Sequence, residues 1–494
     1  MTAGPVTALE VTTDTGRVRG AFRDGLRHWH GIPYAAPPIG ELRFRAPAPP
    51  TRWVGTRDCV GFGPPAAQAQ RRRVVGSEDC LTVNVTAPGT SGSGRPVMVF
   101  VHGGAYSGGT ASGPRYCGSE LVARGEIVHV SLNYRLGVFG YLDFSQFDTP
   151  ERTFEPNNGV RDQLAALEWV QRNIAAFGGD PDNVTLYGES SGANAVTTLM
   201  ATPRAAGLFA RAIAQSPPAA SAYGRERGGQ WARRVVAASG TPEPQRWLTS
   251  AAPEELIRVG EALATDGVQT EPGTRMFAPV VGDDLLPEHP LDVFDSGRTH
   301  PVPLIVGSTA HEGRVFPRFL DILPTDAERI EKMFSHTPAE VKARAIAAYP
   351  GYPHRRAAAD LGGDVTFWEP SILCSQGHCE VAPTYAYRYD FAPRLLHLLG
   401  LGATHATDLY AVFGVHGPMR RALTALGGAA GLRAATDTVQ SHWLHFAHHG
   451  APGPDWPRYD VENRRTLIID DATRVVADPD SDKRQAWIGY RHRR

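Results

Sequence analysis

Phe177-Gly178-Gly179-Asp180-Pro181-Asp182-Asn183-Val184-Thr185-Leu186-Tyr187-Gly188-Glu189-Ser190-Ser191-Gly192 holds the turn on which the reading of this chain depends. Val184-Thr185-Leu186-Tyr187 is a short apolar and β-branched run, the mark of a buried strand. From Ser191 onward the spacing predicts a helix. Between the two, Gly188-Glu189-Ser190-Ser191-Gly192 fits the pattern G-x-S-x-G. A tight strand-to-helix turn presents the central hydroxyl above a sheet, and its flanks must be glycine because a strained backbone and a close helix leave no room for side chains. The pattern alone arises by chance in long chains. Its place between a strand and a helix makes Ser190 a candidate nucleophile.

Working outward, Pro96 to Val101, Ile127 to Leu132 and Pro303 to Val306 are further continuous apolar runs, as expected of strands buried on both faces. Between the second strand and the serine strand, Val160, Leu164, Leu167, Val170, Ile174 and Phe177 recur at helical spacing. Strands alternating with helices predict an α/β fold, with a large, mostly parallel central sheet and helices on both faces. Pro253 to Ala264 and Pro338 to Tyr349 read as helices inside Pro- and Gly-rich surroundings. The regions at about 220–300 and 320–380 are therefore expected to be helical excursions that build a lid and pocket walls. Neither an internal repeat nor a long linker divides the chain, so residues 1–494 are expected to form a single domain.

A serine hydroxyl needs a base to remove its proton, and the oxyanion it generates needs donors already in place. His102-Gly103-Gly104-Ala105 follows the strand ending at Val101, where backbone N–H groups can turn toward a nucleophile. Gly104, Ala105 and Ser191 are the candidate oxyanion donors.

The run from Phe177 to Gly192 resembles the active-site signature of the type-B carboxylesterase family, which includes the cholinesterases. Glu78-Asp79-Cys80-Leu81-Thr82-Val83-Asn84-Val85 resembles its second signature, and Gly31-Ile32-Pro33-Tyr34-Ala35 and Asn133-Tyr134-Arg135-Leu136-Gly137 are similar to other family blocks. The resemblance implies an α/β-hydrolase fold and assigns two partners that spacing does not supply. Gly307-Ser308-Thr309-Ala310-His311-Glu312-Gly313 resembles the loop of the family's acid, which falls on Glu312. Gly402-Ala403-Thr404-His405-Ala406-Thr407-Asp408 resembles the loop of its base, which falls on His405. Family members usually carry Gly and Glu where this chain has Ala406 and Asp408, so Asp408 is the nearby rival to Glu312. The usual disulfide partner of Cys80 would align near Ala66 and Ala67, and Cys59 is out of register. Ser216 is expected at a strand end behind the site, in a supporting role.

The implied activity is serine carboxylesterase hydrolysis of neutral carboxylic esters, through an acyl-enzyme on Ser190, without metal or organic cofactor. The same triad could cleave carbamates, amides or thioesters, and some relatives are adhesion proteins that have lost it. His405 is expected to titrate near ~6.5, as an unperturbed imidazole does. Phe316, Phe319, Phe367 and Trp368 are candidates to line an acyl pocket. The stretch from Gln68 to Ser77 reads as a short loop that carries Arg71, Arg72 and Arg73 and no aromatic residue, which argues against choline esters.

A net charge of −1 gives no field to recruit nucleic acid or anionic membranes, and the arginine clusters at 71–73 and 491–494 read as solvated surface. Five cysteines do not make a disulfide framework. Cys374 with Cys379, and His442, His445, His448 and His449 on one helix, are weak metal candidates; Trp443, Phe446 and Ala447 mark that helix as packing. Met1 to Val6 lacks a basic start and an apolar run, and nothing approaches a membrane span. The expected setting is cytoplasmic. Arginine so far outnumbers Lys332, Lys342 and Lys483 as to suggest a GC-rich, bacterial source. The expected partners are a small-molecule ester and water.

Overall fold

The computed structural model describes residues 9–71 and 73–493. Met1 to Val6, Arg72 and Arg494, which bear on the readings of the N-terminus and the arginine clusters, lie outside them. An 11-stranded sheet organises the molecule. Its middle is parallel: Val128–Leu132, Arg95–Val101, Gly179–Glu189, Arg211–Gln215, Leu304–Thr309, Thr384–Tyr389 and Arg465–Ile469 lie side by side in that order. Antiparallel strands extend both edges, with Thr82–Pro88, Leu26–Pro33 and Ala21–Arg23 on one side and Arg474–Ala477 on the other.

The expected strands are all present, within a few residues of their predicted bounds. Arg95–Val101 is almost wholly buried, because helices cover both of its faces. On one side, Val97, Val99 and Val101 join a core with Leu164, Leu167 and Val170 of the helix Asn158–Asn173. On the other, Met98 and Phe100 pack with Leu432, Val439, Trp443 and Phe446 from the helix Ala429–His449. The alternation along one strand thus feeds two cores. Each fully buried Val or Phe contributes roughly 1.5–3 kcal/mol relative to exposure.

The two excursions are helical, as expected. The first contains Arg225–Ser239, Pro244–Ser250, Pro253–Thr270 and Pro290–Asp295. The second contains Ala327–Met333, Ala339–Ala347, Arg355–Gly363 and Glu369–His378. A π-helical segment, Asp364–Trp368, joins the last two. The stretch read as a loop at 68–77 is instead a hairpin, with Gln68–Gln70 paired to Arg73–Val75. No helix among the described residues is long and apolar enough to cross a membrane.

Candidate active site

The serine strand ends at Glu189, and the helix Ser191–Met200 starts two residues later. Ser190 alone turns the chain, at φ 58° and ψ −127°, a conformation costly for any L side chain and sustained only by its surroundings. Its N–H donates to Gln215 O at 2.9 Å, and its C=O accepts from Asn194 N at 2.9 Å. The flanking glycines are required sterically. A Cβ on Gly192 would lie 2.1 Å from Val101 O, and one on Gly188 would lie 2.5 Å from Gly192 O.

Glu312 and His405 come from loops beyond Leu304–Thr309 and Thr384–Tyr389. Glu312 Oε2 lies 2.6 Å from His405 Nδ1, the separation of a charge-assisted hydrogen bond in which Nδ1–H donates. Glu312 is fully buried, which would be costly without compensation. Its Oε1 accepts from Ser216 Oγ at 2.6 Å and from Thr309 N at 2.7 Å. Hydrogen bonds to a charged group contribute about 1.5–3 kcal/mol each. Ser216 thus sits behind the acid, as the sequence suggested. Asp408 is turned away: its Oδ2 accepts from Gln215 Nε2 at 2.8 Å and from the Tyr387 hydroxyl at 2.9 Å.

Sequence reasoning missed the role of Glu189. Its Oε1 lies 3.1 Å from His405 Nε2, the ring nitrogen that Glu312 does not engage. Burial pushes the Glu189 carboxyl up to about 8. Burial also opposes charge on His405, but Glu189 and Glu312 outweigh it and raise the imidazole to about 9. The expectation of an unperturbed histidine is therefore corrected: two carboxylates bracket the ring. No hydrogen bond joins Ser190 Oγ to His405 among the described residues. Such contacts are often long before substrate binds.

Ser190 and His405 open on one cavity of about 300 Å³, also lined by Gly104, Ala105, Ser191, Phe277, Phe316 and Phe367. The N–H groups of Gly104, Ala105 and Ser191 meet no backbone carbonyl among the described residues, so they remain available to an oxyanion. Ala105 and Tyr106 hold positive φ of 54° and 58°, and Tyr106 N donates to Ser191 Oγ at 3.3 Å. The hairpin at 68–75 braces this loop, since Gln68 bonds both Gly109 O and Gly109 N, at 2.8 and 2.9 Å. Phe367 stacks on His405 at 4.1 Å between ring centroids, and Phe316 lies at 5.3 Å. Two of the proposed lining residues are elsewhere. Phe319 is 72% exposed, and Trp368 packs with Ile330, Phe334 and Trp487 in a separate cluster.

The weak metal candidates have other partners. His442 Nδ1 accepts from Gly453 N at 3.1 Å, while His445 and His448 bond the carbonyls of Ala451 and Gly125. Trp443, Phe446 and Ala447 are buried beside them. All five cysteines are free, Cys59 and Cys80 among them.

A serine elbow at the end of a central parallel strand, with an acid and a base returning on later loops, is the architecture of an α/β-hydrolase. Residues 7–487 match the model of the carboxylesterase family. The chain is 36% identical over 490 residues to the para-nitrobenzyl esterase of Bacillus subtilis, covering 96% of this chain and 97% of that protein. It is 31% identical to liver carboxylesterase 1F of Rattus norvegicus, covering 93% and 90%. A solved structure of a PNB esterase superposes with a TM-score of 0.85 at 35% identity, over 98% of this chain and 100% of that one. The chain belongs to the carboxylesterase family, and it is a serine carboxylesterase, a hydrolase of carboxylic esters.

Proposed function

We propose that Ser190 attacks the carbonyl of a neutral carboxylic ester while His405 takes its proton and Glu312 holds the imidazole and offsets its charge. The N–H groups of Gly104, Ala105 and Ser191 receive the oxyanion. His405 then protonates the leaving alcohol, and a water activated by the same histidine releases the acid from the acyl-enzyme. The observation that carries this reading is the Glu312–His405 contact of 2.6 Å beside a serine held at positive φ over the same cavity. Glu189, 3.1 Å from Nε2 of the same ring, favours the imidazolium in the pH range where its own carboxyl is ionised.

A phosphonate probe should add once per chain, on Ser190, by intact-protein and peptide mass spectrometry. Ser190→Ala should lose both labelling and several orders of magnitude of ester hydrolysis. Adduct on another serine, or equal labelling of the Ala variant, would overturn the assignment. Amide, carbamate and thioester analogues of one acyl group, assayed together, separate the ester reading from its rival.

The same reading treats residues 1–494 as a single domain, supported by a cavity whose lining runs from Gly103 to Leu409. It places the enzyme in a bacterial cytoplasm, acting on small esters and water without nucleic acid or membrane. Five free cysteines and the similarity to a Bacillus esterase support that setting.

A further inference from the structure

Buried arginines in this protein keep company with carboxylates. Arg43 meets Glu78 at 2.6 Å, Arg135 meets Asp162 at 2.6 Å, and Arg314 meets Asp360 at 2.8 Å. Arg275, which is half-buried, has no carboxylate partner among the described residues. It stands in the wall between the substrate cavity and a second cavity of about 110 Å³, which also shares Ala105, Phe277 and Ile322 with the first. Its only side-chain hydrogen bond among the described residues runs from Nη1 to the carbonyl of Ile322. The second cavity has two carboxylates, and neither forms an ion pair with it. Asp321 is held by Arg329 at 2.6 Å, and Glu261 is shifted upward by burial alone. Burial pushes the Arg275 guanidinium down to about 10, so it still carries its charge at neutral pH.

A guanidinium offers five N–H donors in a planar fork that matches a carboxylate, and one carbonyl occupies a single donor. A half-buried charge that lines a cavity and has no counter-ion of its own can be met by one that arrives from outside. The neighbouring lining, Phe277, Phe316, Leu320 and Phe367, is apolar. It suits a hydrocarbon stem between the scissile carbonyl and a distant charge.

We propose that Arg275 is a specificity-determining residue that receives a carboxylate carried by the ester. The site then takes, beyond neutral esters, half-esters of dicarboxylic acids or esters of carboxylate-bearing alcohols. This inference rests on the reading of Ser190 as the nucleophile over this cavity. A purely structural role, stapling the Ile322 segment to the Arg275 segment, would affect charged and neutral substrates alike.

Matched pairs test it with the full chain. On the acyl side, para-nitrophenyl hydrogen glutarate is compared with para-nitrophenyl valerate. On the alcohol side, para-butyryloxybenzoate is compared with its methyl ester. The readout is the carboxylate-to-neutral ratio of kcat/KM. In one arm this ratio should fall by about tenfold or more in Arg275→Gln and recover in part in Arg275→Lys, as expected for loss of a charge-assisted contact. A ratio unchanged within about twofold in both arms, with the neutral esters still hydrolysed, overturns the carboxylate proposal and leaves the esterase reading standing. Wild type that hydrolyses neither member of either pair overturns both. Should Arg275→Gln fail to fold, competitive inhibition of the wild type decides. Glutarate should inhibit at least about tenfold better than glutaramide and lose that advantage as salt rises; equal inhibition overturns the proposal.

Discussion

The loops that end the parallel strands and the helical wall above them treat charge in opposite ways. At the strand ends, Glu312 is fully buried and both of its oxygens are engaged, by His405 on one side and by Ser216 and Thr309 on the other. In the wall, Arg275 and Glu261 have no ion-pair partner among the described residues. The charge that would act in every turnover is held by the protein itself, whereas the charge in the wall is left for a ligand to meet. Catalytic preorganisation requires the first arrangement. Selectivity among substrates requires the second.

The largest expected effect comes from breaking the strand-end side. Glu312→Gln should lower kcat/KM by roughly 10³–10⁴-fold, because an amide holds the wrong imidazole tautomer and offsets none of its charge. Asp408→Asn should cost less than about tenfold, since Asp408 bonds Gln215 and Tyr387 and does not touch the ring. Steady-state kinetics on a neutral aryl ester check both. The reverse ranking would mean that Asp408 is the acid and that the contrast between the regions was drawn around the wrong carboxylate.

A smaller effect sharpens the electrostatics. Histidine is a base only when neutral, and a raised pKa keeps it protonated to higher pH. With His405 lifted to about 9 by Glu189 and Glu312 against its burial, kcat/KM should still be climbing above the ~6.5 of a free imidazole. Glu189→Gln should move that limb to lower pH by about one unit, by removing one of the two carboxylates. A wild-type limb at or below ~6.5 would show that the bracketing carboxylates do not act on the free enzyme. The smallest effect tests the wall: butyrylcholine should be hydrolysed less efficiently than a neutral butyrate of similar leaving group. The hairpin that braces the loop at Gly109 offers no aromatic face to a quaternary ammonium, and Arg275 repels one. A tenfold advantage for choline would reveal a cation site in the wall.

Much of this was legible in the chain. The strand from Arg95 and the elbow at Ser190 are local events. Apolar runs report burial on both faces, and the two glycines report contacts of 2.1 and 2.5 Å that no Cβ could occupy. The pairing of Glu312 with His405, the proposed acid and base, was reachable through family resemblance, because their loops carry recognisable sequence at a separation of 93 residues that spacing could not have linked. Phe319 and Trp368 show the limit. They adjoin true lining residues in sequence, yet one faces solvent and the other packs into a different cluster. In helical segments, neighbours one apart point to different sides.

The sequence by itself determined the strand, the turn and the place of Ser190 at its apex, since backbone sterics and burial act over a few residues. Only the tertiary structure decided that Glu189 touches the base, that Gln68 braces the loop at Gly109, and that Arg275 lacks a carboxylate. Whether a charge is paired depends on which distant segments pack beside it, and no local pattern encodes that.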